Sequence, residues 1–177
     1  YLLKAHMQKR RGIKTIEIGQ GKDKKTQNVE NIMGIATVSI IIVQLISICF
    51  YWSMFPLLLR ALGFVIGLAG DVLFLISVIT MADNWKVGIP SGEETHLVTR
   101  GIYSYSRNPA FLAFDLQYLG LLLMFFNPIS LLFTLFASFM LHLQILQEEA
   151  FLSSCFGKEY EDYKKRVMRY LGKRKER

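Results

Sequence analysis

Two apolar stretches in the C-terminal half of this 177-residue chain carry polar side chains at matching places. The first opens on Arg107 and Asn108, directly before Pro109, and holds Asp115 and Gln117. The second holds His142 and Gln144 and runs into Gln147, Glu148 and Glu149. Trp85, Tyr103, Tyr105 and Phe111 stand nearby in sequence. An arginine can hold a carboxylate in a two-point grip. A glutamate can accept from an ammonium or from ribose hydroxyls. Aromatic faces can hold a purine or a sulfonium cation. The set suits a small zwitterionic cofactor.

Other chemistries are poorly served. His6, His96 and His142 are scattered, and no Cys/His cluster has zinc spacing, so no metal site is expected. Cys49 lies in an apolar block and Cys155 in a charged tail, and no disulfide is expected between them. Ser106 near His96 is too little for a hydrolytic triad. The stretch "GQGKDKK" is too polar, and too poorly framed, for a dinucleotide loop and reads as a solvated linker; a Walker-type loop is absent. Basic residues flank apolar runs rather than lining one platform, so nucleic-acid binding is not expected.

The elements that must position these residues are apolar runs separated by charge. Half the chain, 52%, is apolar, and the net charge is +7. Residues 31–52 carry no charge and end on Tyr51 and Trp52, suitable interface residues. Residues 57–80 follow Pro56 and are broken by Arg60 and Asp71, with Gly63, Gly67 and Gly70 on one face for close helix packing. Asp71 beside that face reads as a packed, internally bonded acid. Residues 81–109 form a polar connection, long enough to be functional. Residues 110–126 and 129–147 are two further runs joined by Asn127-Pro128. The tail beyond them reads as a helix that leaves the membrane and continues in water. The expected fold is all-α and polytopic, with four transmembrane helices, a cofactor loop and a C-terminal helix. Residues 1–30 form a basic segment ahead of a membrane domain over 31–177. No signal peptide is visible, and the first residue, Tyr1, leaves room for an earlier hydrophobic segment.

Charge orients the layout. Eight Lys and Arg residues precede Asn31, three lie between Met81 and Pro109, and nine follow Gln147; Arg60 alone remains. Four spans put these twenty on one side, which the positive-inside rule makes cytoplasmic. The short turn makes the last two spans antiparallel, so residues equally far from it share a depth. Arg107 then comes level with Glu148 at the mouth, and Asp115 level with Met140 to His142 deeper in. A charge inside a bilayer calls for a partner or a wet cavity. Asp115 and His142 are expected to pair or, with Gln144, to line a substrate pocket.

"HLVTRGIYSYSRNPAFLAFD" followed by "EEAFLSSCFGKEYEDYKKRVMRY" resembles the isoprenylcysteine carboxyl methyltransferase family, over residues 81–170. The family comprises integral membrane methyltransferases that use S-adenosylmethionine. The resemblance implies a cofactor bordered by His96, Leu97, Val98, Tyr103 and Phe111, and held by Arg107, Asn108, Pro109, Glu148 and Glu149. It gives Arg107 the orientation of an anionic acceptor and Glu148 the anchoring of the cofactor. It places Trp85 before the cofactor loop and Tyr160, Tyr163 and Arg166 in a tail folded over the site. It implies in-line methyl transfer, with the cofactor entering from the cytoplasm and a lipophilic acceptor from the bilayer. Asn108 stands where the family has histidine, Phe111 where it has tyrosine, and His142 and Gln144 where eukaryotic members carry an arginine. Asn-Pro is shared with phospholipid N-methyltransferases, which remain an alternative. A membrane reductase of the sterol type and a non-catalytic membrane interaction protein are rivals from other classes.

Overall fold

Asp23 caps the first helix of the described residues by accepting from the Thr26 N–H at 3.4 Å. Residues 23–82 and 96–174 are described by this computed structural model. Trp85, Lys86, the polar segment over 83–95 and residues 1–22 lie outside them. Helix α1 (Lys24–Cys49) therefore begins seven residues before the expected span, and its first two turns are polar. The basic segment expected over 1–30 ends inside a helix, because a capping aspartate precedes a stretch without Gly or Pro.

Helix α2 (Leu57–Met81) follows Pro56 and returns across the molecule. Helix α3 (Pro109–Met124) has Pro109 in its first turn, where a missing N–H costs nothing. Helix α4 (Pro128–Phe156) is capped by Asn127, whose side chain accepts from the Ser130 N–H at 2.9 Å. It runs nine residues past the expected end, through the carboxylate pair, because nothing in "EEAFLSSCF" stops it. Gly157 does, with a left-handed φ of +49°. Helix α5 (Lys158–Arg166) then carries acids in its first turn and bases in its last, matching its dipole.

Helices α1, α2 and α4 are long and apolar enough to cross a membrane. Helix α3 has 16 residues, about 24 Å at ~1.5 Å per residue. That is short of the roughly 30 Å of a bilayer's hydrocarbon. It stops at Met124 because Asn127 precedes a proline, which disfavours helical backbone.

Two helix pairs make the bundle. Helices α2 and α3 pack through glycines: a Cβ on Gly120 would fall 2.6 Å from Gly67 Cα, and one on Gly63 would fall 2.6 Å from the Gly120 carbonyl. With its amide turned to donate, Gln117 bonds the Gly67 carbonyl at 2.8 Å and Asp71 at 3.3 Å. Asp71 is thus the internally bonded acid expected, and Gln117 faces α2 rather than the deep polar level. Helices α1 and α4 enclose Met33, Ala36, Ile40, Ala137, Met140 and Leu141, with Tyr118 from α3. At the far end Asn127 donates to Ser47 Oγ and Ser130 Oγ, each at 2.9 Å. Arg60, the displaced cation, lies there over the Tyr51 ring at 4.7 Å. Large apolar side chains such as Ile35, Leu58, Val65 and Leu135 cover the outside, as lipid-facing helices require.

The tail does not run on as one helix, as its residues alone suggest, but folds back, as the family resemblance implies. After α5 the chain turns back as a narrow hairpin, with Val167 bridging Lys173 and Gly172 at φ +127° in the bend. The turn at Gly157 aims α5 across the bundle end, and the hairpin reaches the start of α3.

Candidate functional site

The site lies where the segment before α3 meets the end of α4. Gly101, at φ +60°, opens a short 3-10 turn, Gly101–Ser104. A side chain at Gly101 would meet Thr80 of α2, so the turn sits against that helix. Tyr103 is buried, and its carbonyl accepts from the Tyr163 hydroxyl at 2.6 Å. Ser106 is fully buried and its Oγ accepts from the Asn108 N–H at 3.1 Å. That bond shapes the turn into α3, so Ser106 is spent on structure.

Arg107 and Asn108 converge on one carboxylate. Arg107 Nη2 and Asn108 Nδ2 each lie 3.0 Å from Glu149 Oε1. The depth argument is borne out to within one residue. It pointed to Glu148, but Glu149 lies a further ~100° around the helix and faces α3. Glu148 accepts from Gln144 Nε2 at 3.2 Å, one turn earlier on the same face.

Glu149 Oε2 is taken by a residue that spacing does not reveal. Arg169, in the tail hairpin, donates from Nε at 3.1 Å and from Nη2 at 2.9 Å. Each Glu149 oxygen thus has two donors, about the full capacity of a carboxylate. The Arg169 guanidinium is held above its ordinary pKa, first by that hydrogen bond. The Arg169 carbonyl accepts from Asn108 Nδ2 at 3.2 Å, and the Met168 carbonyl from the Arg107 N–H at 3.1 Å. Gly172 N–H donates to the Tyr105 carbonyl at 2.7 Å. The hairpin is stitched along the whole mouth.

The deeper level forms as well. Asp115 lies within reach of Ser138 and His142 on α4. His142 Nδ1 is 2.6 Å from the Tyr170 hydroxyl, the rings stacked at 6.1 Å between centroids. Gln144 is fully buried.

Several buried polar atoms here have no partner among the described residues: Arg107 Nε and Nη1, Gln144 Oε1, Gln147 Oε1 and Asp115 Oδ1. Free donors on a buried guanidinium beside free amide acceptors match the two ends of an amino acid. The residues present therefore fit a zwitterionic cofactor, whose carboxylate would go to Arg107.

The remaining expected residues divide. Leu97 packs on Tyr160, Tyr163 and Val167, under the tail. Burial raises the phenol pKa of Tyr103, Tyr160 and Tyr163 above the ordinary value, which keeps them neutral. Val98 is half-buried, Pro109 is buried and His96 is exposed. Phe111 packs against the α1/α4 core. Arg166 is exposed, its Nε donating to the Asp162 carbonyl at 3.3 Å. The tail residues that reach the polar cluster are Arg169 and Tyr170. Sequence reasoning missed both because their approach depends on two reversals, at Gly157 and Gly172.

The chain is similar to known proteins. The profile of the isoprenylcysteine carboxyl methyltransferase family matches residues 61–154. A protein-S-isoprenylcysteine O-methyltransferase from Schizosaccharomyces pombe is 43% identical over 72 residues, covering 40% of this chain and 30% of that protein. One from Dictyostelium discoideum is 29% identical over 134 residues, covering 72% of this chain and 56% of its own. The solved structure of a eukaryotic intramembrane Ras methyltransferase, an isoprenylcysteine carboxyl methyltransferase, superposes with a TM-score of 0.61 at 27% identity, over 78% of this chain and 51% of that one. The chain thus spans about half or less of the length of these relatives. With more than half of its residues inside the family profile and the same helical frame, the chain belongs to the isoprenylcysteine carboxyl methyltransferase family.

Proposed function

We propose that the chain is an integral membrane methyltransferase, moving a methyl group from S-adenosylmethionine to a lipophilic acceptor such as a prenylcysteine-like carboxylate. The observation that carries this reading is the buried Arg107, held by Glu149 yet keeping Nε and Nη1 without a partner among the described residues. Family membership supplies the reaction class, and the matched relatives are named for isoprenylcysteine O-methylation.

S-adenosylmethionine, when bound, supplies an electrophilic methyl group on a sulfonium. Arg107 holds a carboxylate, with the positive end of α3 adding to its pull. Glu148 accepts from an ammonium or a hydroxyl. Glu149 and Asn108 fix Arg107, and His96, Leu97, Val98, Tyr103, Pro109 and Phe111 border the pocket over residues 81–170. The tail helix and hairpin close that side to water, which methyl transfer needs more than it needs a proton relay. Asp115, His142 and Gln144 line the acceptor's end of the site. Helix α3 serves as a fourth membrane helix, and the basic ends face the cytoplasm.

A phospholipid N-methyltransferase is the second reading, favoured by Asn108-Pro109 and by Asp115, an acid that suits an amine head group. The test is transfer of labelled methyl groups to a farnesylated cysteine with a free carboxylate, to its methyl ester and to phosphatidylethanolamine. Label on the free carboxylate alone supports the first reading. Label on phosphatidylethanolamine alone establishes the second, and no label on any acceptor rejects both.

A further inference from the structure

Two guanidiniums share the single buried Glu149 carboxylate, and only one belongs to the helical hairpin. Arg107 reaches Oε1 through Nη2 alone, at 3.0 Å. Arg169 fills Oε2 with two donors, at 3.1 and 2.9 Å. Arginine–carboxylate pairs frequently close on both oxygens. With Oε2 occupied, Arg107 cannot do so, and its buried Nε and Nη1 have no partner among the described residues. Charge gives the same answer: one carboxylate against two guanidiniums leaves one positive charge uncompensated within the triad. Arg107 is the buried member of the two and Arg169 is partly exposed, so the charge that calls for an anion is that of Arg107.

Resting on the functional reading above, we infer that Arg169 is a positioning residue. It occupies Glu149 so that Arg107 presents its donors to a ligand carboxylate. The hairpin backbone adds to this by receiving the Arg107 N–H on the Met168 carbonyl and Asn108 Nδ2 on the Arg169 carbonyl. The functional reading makes this the carboxylate of the cofactor's amino-acid end, and the acceptor's carboxylate is the other source that the test distinguishes.

The test uses the full chain in lipid nanodiscs and two ligand pairs. One pair is S-adenosylhomocysteine and its decarboxylated counterpart. The other is farnesylated cysteine and its carboxamide. The pair that wild type discriminates identifies the source of the carboxylate. In Arg169→Gln that discrimination falls about tenfold or more, as loss of a charge-assisted contact predicts, while the carboxylate-free counterpart binds almost as before. Arg169→Lys, which keeps the charge, retains most of the discrimination. Tyr170→Phe, which loosens the hairpin at His142 without touching charge, also retains it. Equal weakening of both members of a pair in Arg169→Gln, or unchanged discrimination, overturns the inference and leaves the functional reading standing. Loss of discrimination in Arg169→Lys overturns it too, and serves if Arg169→Gln does not fold. Wild type that binds neither pair rejects the functional reading and this one with it.

Discussion

Asn108 and Arg107 stand 41 and 42 positions before Glu149, and the antiparallel hairpin brings each to 3.0 Å from its Oε1. This much was legible because a two-residue turn and a constant rise per residue fix depth. Rotation about the helix was not, since an error of one residue moves a side chain by ~100°. Hence Glu149, rather than Glu148, meets Arg107. Two predictions belong here. Glu149→Ala leaves two arginines facing a vacated buried position and should lower stability by about 3–5 kcal/mol, read as a drop in the detergent-stable melting temperature. Glu148→Gln leaves the Arg107 pairing intact, so it should keep that melting temperature within about 2 °C of wild type, by the small effects usual away from buried networks, while weakening cofactor binding.

At the scale of elements, the glycine face was legible from four-residue spacing, and its partner proved to be Gly120 of α3. Gly120→Ala should cost about 1–3 kcal/mol by overpacking, seen as reduced folded yield, because backbone rather than a movable side chain blocks the new methyl. The residues alone read the tail as a helix running on into water, and only the family resemblance implied that it folds over the site. The Tyr160, Tyr163 and Val167 stripe announces a buried face, but where α5 points depends on the dihedral angles of one glycine, Gly157. The docked tail also has a pH signature. Burial raises the phenols of Tyr103, Tyr160 and Tyr163 above their ordinary 10.0. The folded state therefore favours the neutral form. That contribution is full below pH 10 and declines as the pH rises beyond it. Protease protection of the tail should stay flat from about pH 6 to 9 and fall above 10, and Tyr163→Phe should lower it throughout by about 1–2 kcal/mol.

For the whole molecule, apolar run length and the gathering of twenty cations outside the apolar runs made an all-helical membrane protein legible. Element ends were less so: α1 starts early at an aspartate cap, and α4 continues past the apolar run because backbone hydrogen bonding does not stop at a membrane surface. The proposed orientation predicts that an impermeant thiol reagent added from the cytoplasmic side labels Cys155, while Ser53→Cys in a Cys49→Ala, Cys155→Ser background is labelled from the opposite side. Labelling of both from one side would reject that arrangement. The proposed role of Arg107, at the mouth of α3, is to hold the carboxylate of S-adenosylmethionine. Its test is equilibrium binding of labelled S-adenosylhomocysteine to the purified chain, with Arg107→Ala alongside. Wild type should bind saturably, and Arg107→Ala should bind about tenfold or more weakly, as loss of a charged hydrogen bond implies. Wild type that binds no better than an unrelated membrane protein, or an Arg107→Ala variant that binds as wild type does, would contradict it.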